Sequence, residues 1–246
     1  MSRVGRIVVP VLCLMVDAVC IALFFPLSRG LFAAAALSCG AAAGVQLVLH
    51  ELGHLLGGKM SGYRLLFWRL GPFWLERDGK GKLAASLGGW RGGQCVMVPG
   101  GAGPWGSCPY LLYNFGGILL NLLACALGLA GCLTGGMGTG GRLFFLQLFW
   151  TGVPRVYLNG MPYLKGGVPT DGYILRLLGR EPGVRRDYAA YLQVYALSRQ
   201  GISFDAGAYA YPCDSERSRL FYDGLQELLR ERAETVRADG RSGGLG

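Results

Sequence analysis

The stretch LFAAAALSCGAAAGVQLVLHELGHLL, residues 31–56, decides the fold. It carries no charge before Glu51 and exceeds the roughly 20 apolar residues that a helix needs to cross a bilayer. Near its end stand His50, Glu51, Leu52, Gly53 and His54, and these two histidines are the only ones in the chain. Residues four apart share one face of a helix, so His50 and His54 can offer both imidazoles to one metal ion, with Glu51 beside them as a base. Ionisable groups at membrane depth are costly and functional by default. The spacing therefore reads as a zinc-hydrolase signature inside a membrane helix.

Three further apolar segments flank it, at about Ile7 to Leu27, Leu111 to Leu133 and Leu143 to Leu158, the last short unless Asn159 to Leu164 completes it. The net charge of +9 is unevenly placed: Arg3 and Arg6 precede the first segment, Lys59, Arg64, Arg69, Arg77, Lys80, Lys82 and Arg91 follow the second, and Arg176, Arg180, Arg185 and Arg186 follow the fourth. Basic flanks of this kind orient membrane spans, so the charge calls for no nucleic acid. The positive-inside rule puts the N-terminus, the 57–109 connection and the C-terminal tail in the cytoplasm, and only short links near Ser28 to Gly30 and Gly135 to Arg142 outside. The small residues Ala34, Ala35 and Ala36 offer a signal-peptide cut, but it would shorten the span carrying His50, so the first segment reads as a retained helix.

The expected fold is an α-helical integral membrane protein. It has about four transmembrane helices, a small strand-rich insertion after the second and a cytoplasmic helical tail. In domain terms, an N-terminal helix (1–30) precedes a membrane core (31–175) that contains the insertion (57–109), and a helical tail (176–246) follows. The insertion is dense in glycine, with β-rich pieces at Lys82 to Leu87 and Gln94 to Val98, and is expected to form two or three short strands joined by glycine turns. In the tail, Arg185 to Gln200 and Ser215 to Ala238 read as amphipathic helices, the second with Leu220, Phe221, Leu225, Leu228 and Leu229 on one stripe, before a disordered end at Asp239 to Gly246. The eight cysteines form no C-x-x-C pair, and most lie in or beside apolar segments as small, reduced packing residues.

A zinc hydrolase wants three protein ligands and an open position for water. With no third histidine, the remaining ligand is a carboxylate or a thiolate. Asp171 is the best placed candidate, just past the fourth segment, where Pro162, Gly166, Gly167, Pro169 and Gly172 predict non-helical backbone. Glu181 and Asp187 are the neighbouring acids that a displaced ligand would use. At 1.5 Å per residue, His50 lies roughly 13 Å in from Lys59 and Asn121 roughly 15 Å in from Leu111, so the two meet at one level. Asn121 is then a candidate donor to a developing oxyanion. Asp17, also within an apolar segment, reads as a group paired inside the bundle and not as part of the site.

These residues resemble the site-2 protease family of intramembrane zinc metalloproteases. The resemblance covers about residues 31–175. It rests on the H-E-x-x-H helix at His50 to His54, a G-x-x-x-N element at Gly117 to Asn121, and an N-x-x-P and D-G element at Asn159, Pro162, Asp171 and Gly172. It implies that His50, His54 and Asp171 hold one zinc ion and that Glu51 activates water, on a core of three helices with a strand-rich insertion. Two departures stand out: more residues separate Pro162 from Asp171 than in the family, around Lys165, Gly166 and Gly167, and Ile118 follows Gly117 where the family has proline.

The function expected is a metalloendopeptidase acting on membrane-spanning substrates, either transmembrane proteins or leftover signal peptides, in contact with membrane lipid in the plasma membrane of a bacterial cell. Two other classes compete. A transporter of metal or solute would use the histidines as a transit site, but the chain lacks the internal repeats usual in transporters. An inactive scaffold that binds membrane proteins would have no use for a general base at Glu51.

Overall fold

The computed structural model describes residues 3–25, 29–100, 109–134, 136–165, 167–180, 182–209 and 219–242. They form two compact units: one of Met1–Gly57 with Leu111–Arg176, the other of Gly58–Tyr110 with Leu177–Gly246.

The first unit is helical. Helices α1 (Arg3–Phe24), α2 (Arg29–Met60) and α3 (Tyr110–Leu133) take up the first three apolar segments. Each contains a stretch long and apolar enough to cross a membrane: Val4–Phe24, Gly30–Met60 and Tyr110–Leu133. Their outward side chains are those that lipid accepts, among them Ile7 and Leu14 on α1, Phe32 and Leu37 on α2 and Leu127 on α3, all exposed. The chain is thereby marked as a membrane protein.

Helix α4 (Thr139–Gly160) stands where a fourth span is expected, and its 22 residues give enough length. It is not among the helices apolar enough to cross by composition, because Arg142, Gln147, Arg155 and Asn159 interrupt it. Its start at Thr139 also shortens the expected outer link at Gly135 to Arg142; Gly135 itself, like Leu27 and Ser28, lies outside the described residues.

The three helices α2, α3 and α4 meet at Ala42, Ala124 and Leu148, the two alanines letting the backbones approach. The approach is closest where α2 crosses α3: a Cβ on Gly53 would run into the Gly116 carbonyl, and one on Gly116 into that of Gly53. Helix α1 runs antiparallel to α4. Asp17 accepts from Gln147 Nε2 with both carboxylate oxygens at 3.0 Å, and Phe25 packs with Leu143 and Leu146. Asp17 is thus paired inside the helical unit, as expected.

Between α4 and the short helix α5 (Asp171–Leu178), two strands form a small hairpin, β3 (Leu164–Lys165) with β4 (Val168–Pro169). The expected break in helical backbone therefore ends at Thr170, and Gly172 belongs to the first turn of α5.

In the second unit, the expected two or three short strands are instead one long antiparallel hairpin, β1 (Tyr63–Arg77) with β2 (Leu83–Pro99). The pieces at Lys82 to Leu87 and Gln94 to Val98 lie within one strand. Their intervening glycines act as bulges and not as turns: from Arg69↔Gln94 to Phe73↔Leu87 the register shifts twice, with Gly71 at φ +59° between the shifts. The true turn is at Asp78 to Lys82, where Asp78 N–H donates to the Lys82 carbonyl.

A further shift between Leu65 and Phe67 lets Leu65, Leu66 and Phe67 all be buried in succession. Leu66 and Phe67 pack on Ala196 of α6 (Pro182–Arg199), beside the ion pair from Arg199 Nε to Glu76 at 2.5 Å. Helix α7 (Arg219–Ser242) buries Phe221 and Leu225 against Tyr188, Ala190 and Val194 of α6, as the amphipathic stripe predicts. It continues through Asp239–Ser242, where a disordered end is expected; 243–246 and the expected helix start at 215–218 lie outside the described residues. The six described cysteines, Cys13, Cys20, Cys39, Cys95, Cys125 and Cys132, are all free.

Candidate metal centre

His50 and His54 lie one turn apart on α2, both buried, with rings at 88° to each other. Their Nε2 atoms are 3.2 Å apart. Asp171 Oδ2 stands 3.3 Å from the first and 3.5 Å from the second. Ligands bonded at about 2.0–2.2 Å to a tetrahedral ion are about 3.3–3.6 Å apart, which is the spacing of this triangle. No hydrogen bond reaches the buried Asp171 Oδ2, although it faces two imidazole nitrogens. Three electron-pair donors converging with no hydrogen bond at the carboxylate suit a cation between them. Among the described residues, His50, His54 and Asp171 are the group able to hold a metal ion.

The opposite nitrogen of each imidazole fixes its tautomer. His54 Nδ1 is 2.7 Å from the Tyr113 carbonyl oxygen, an acceptor, so Nδ1 carries the proton and Nε2 the lone pair. His50 Nδ1 is 2.7 Å from Asn121 Oδ1. The amide orientation of Asn121 follows from its other side, where Nδ2 donates to the Gln46 backbone carbonyl at 2.7 Å and to Gln46 Oε1 at 2.6 Å. Two acceptors there require the NH2 group, so Oδ1 faces His50 and accepts from it. Gln46 in turn donates from Nε2 to the Leu148 carbonyl at 2.8 Å. The chain Leu148–Gln46–Asn121–His50 ties α4, α3 and α2 to one ligand.

Asn121 does meet His50 at one level, as the depths predict. Both hydrogens of its amide are committed to Gln46, so in this arrangement it orients His50 and has no donor to spare for an oxyanion. Gln46 escaped the sequence reading. Its signal was an amide within an apolar stretch, one turn before His50 and on the same helix face.

Glycines bring the backbones this close. A Cβ on Gly117 would stand 2.6 Å from His54 Nε2 and 2.8 Å from His50 Nδ1, so α3 walls the imidazoles with bare backbone. Gly172 has the same role for the acid: a Cβ there would strike the Gly160 carbonyl at the end of α4.

Thr170 caps α5, its hydroxyl accepting from Tyr173 N–H at 3.3 Å and donating to the Met161 carbonyl at 2.7 Å. Thr170 N–H also donates to the Tyr163 carbonyl at 3.1 Å, closing the base of the small hairpin. The extra residues between Pro162 and Asp171 are thus looped out between two adjacent positions, and Asp171 still reaches the histidines.

Glu51 is buried, with His50, His54, Asp171 and Arg155 as the titratable groups around it. Of the alternative acids, Asp187 is fully buried beside Arg186 Nε at 3.4 Å, and Glu181 lies outside the described residues. No family model, no curated protein and no solved structure matches this chain.

Proposed function

We propose that this protein is a zinc-dependent endopeptidase working inside the membrane, as its resemblance to the site-2 protease family implies. The observation that carries the reading is the triangle of His50, His54 and Asp171, set beside a buried Glu51 on a helix apolar enough to span the bilayer. Two histidines and one carboxylate form a hydrolase ligand set, open at the fourth position. Zinc held there supplies a Lewis acid that polarises the peptide carbonyl and acidifies water.

The residues of the chain do the remainder. Glu51 takes a proton from the attacking water, whose oxygen bonds to the carbonyl carbon, and delivers that proton to the amine nitrogen as the C–N bond breaks. Asn121 and the Tyr113 carbonyl hold the imidazoles in the tautomer with Nε2 free. Among the described residues the hairpin sheet has only its two strands, and an outer edge of it is where we place an extended peptide, the form a helical substrate must adopt before its carbonyls are open to attack.

Helix α4 serves as a fourth, inner span, its Gln147 turned to Asp17 of α1 and not to lipid. The 57–109 connection and the tail then lie on the cytoplasmic side, by the distribution of basic residues.

The test compares membrane proteomes of cells carrying the wild type or Glu51→Gln. Transmembrane fragments that accumulate only with the variant support proteolysis. Identical fragment profiles, with the variant expressed and metal-loaded, contradict it.

A further inference from the structure

A second constellation lies in the first unit, at the end shared by the start of α1 and the end of α4. A cavity of about 650 Å³ opens there, lined by Arg6, Arg155, Lys165, Tyr163, Ile7 and Leu158 among others. Three of the lining residues are cationic, and none of the described lining residues is acidic. Arg6 lies over the Tyr163 ring at 5.3 Å. Arg155 feels the Glu51 carboxylate but makes no salt bridge with it, and neither Arg6 nor Lys165 has an anionic partner among the described residues. Three cations around a void with no carboxylate among its described lining residues gain from an anion that offsets their repulsion.

The walls indicate which anion. Arg6 stands at the first turns of an apolar span, Lys165 just beyond α4, and Arg155 about 8 Å inward from the end of α4 at 1.5 Å per residue. Ile7, Pro10, Pro154 and Leu158 supply apolar surface between these charges. A small soluble anion would use the cations and leave that surface wet. A peptide pairs along a run of free backbone partners, and most of the wall is helix, where only the single carbonyls one turn before Pro10 and Pro154 lose their donors. A phospholipid satisfies both halves, its phosphate on the cations and its glycerol and chain tops on the apolar wall. Basic pockets between membrane helices commonly take such headgroups.

We propose that the cavity between α1 and α4 is a binding site for the phosphate of an anionic phospholipid headgroup. The proposal rests on the cavity alone and stands apart from the protease reading. The experiment is native mass spectrometry of the full chain in neutral detergent, titrated separately with phosphatidylglycerol and with phosphatidylcholine of the same acyl chains. Inorganic phosphate is added as a soluble competitor.

The expected result is one phosphatidylglycerol retained per chain in preference to phosphatidylcholine, undisturbed by inorganic phosphate. Each cation removed, as in Arg6→Gln, Arg155→Gln or Lys165→Gln, lowers retention by roughly fivefold. Arg64→Gln, outside the cavity, leaves it unchanged. Lys165 is exposed in the small hairpin, so Lys165→Gln reads the site even if Arg155→Gln fails to fold. Equal retention of the two lipids, displacement by inorganic phosphate, or full retention by folded cavity variants would each overturn the assignment.

Discussion

At the scale of single residues, the candidate metal centre depends on what each imidazole does with its far nitrogen. Asn121→Ala removes the acceptor for His50 Nδ1–H and leaves that ring free to turn, so metal affinity should fall about 10–100-fold, read by competition with a chelating dye. Gln46→Ala, one bond further back, should cost less. An affinity unchanged in Asn121→Ala would show that His50 is oriented by packing alone. Gly117→Ala tests the wall: the added methyl has no room beside either imidazole, and overpacking of this kind costs about 1–3 kcal/mol. Metal occupancy should drop while the helical circular dichroism persists. An occupancy equal to the wild type would mean α3 can shift to admit the methyl.

At the scale of elements, α1 and α4 are joined by Asp17 and Gln147. Gln147→Leu strands a buried carboxylate without its donor and should destabilise by about 1–3 kcal/mol in detergent melting. Adding Asp17→Leu should recover most of that loss. A double variant no better than the single would show that the two groups are not coupled. If α4 spans the membrane, an impermeant thiol reagent applied to intact cells should label a cysteine placed at Gly138 and miss ones placed between Arg64 and Arg91. Labelling of the 64–91 region would invert the orientation.

The elements were unevenly legible in the sequence. The apolar helices were readable because their composition is uniform. The Leu220 to Leu229 stripe was readable because its period is helical. The hairpin is not legible from its glycines, because glycine marks a bulge as readily as a turn and only the partner strand distinguishes them. Helix α5 is too short for its period to register, yet Thr170 before Asp171 was a cap signal open to reading. In the centre itself, His50, His54 and Asp171 carried a spacing or a motif. The Gln46 and Tyr113 contacts depend on how α2 meets α3, which one strand of sequence does not display.

At the scale of the whole molecule, the chain divides between a helical unit that carries the candidate metal centre and a unit of hairpin and amphipathic helices, each with its own buried core. A membrane core that merely packed would gain nothing from burying two histidines, an aspartate and a glutamate together, since each is costly to desolvate. Under the proposed function these groups are buried because a metal ion joins three of them. Elemental analysis of the detergent-purified full chain tests it most directly. One zinc per chain is expected in the wild type and in Glu51→Gln, and background zinc in His54→Ala and Asp171→Asn, the latter nearly isosteric but lacking the anionic ligand. Full zinc occupancy in folded Asp171→Asn or His54→Ala would contradict it.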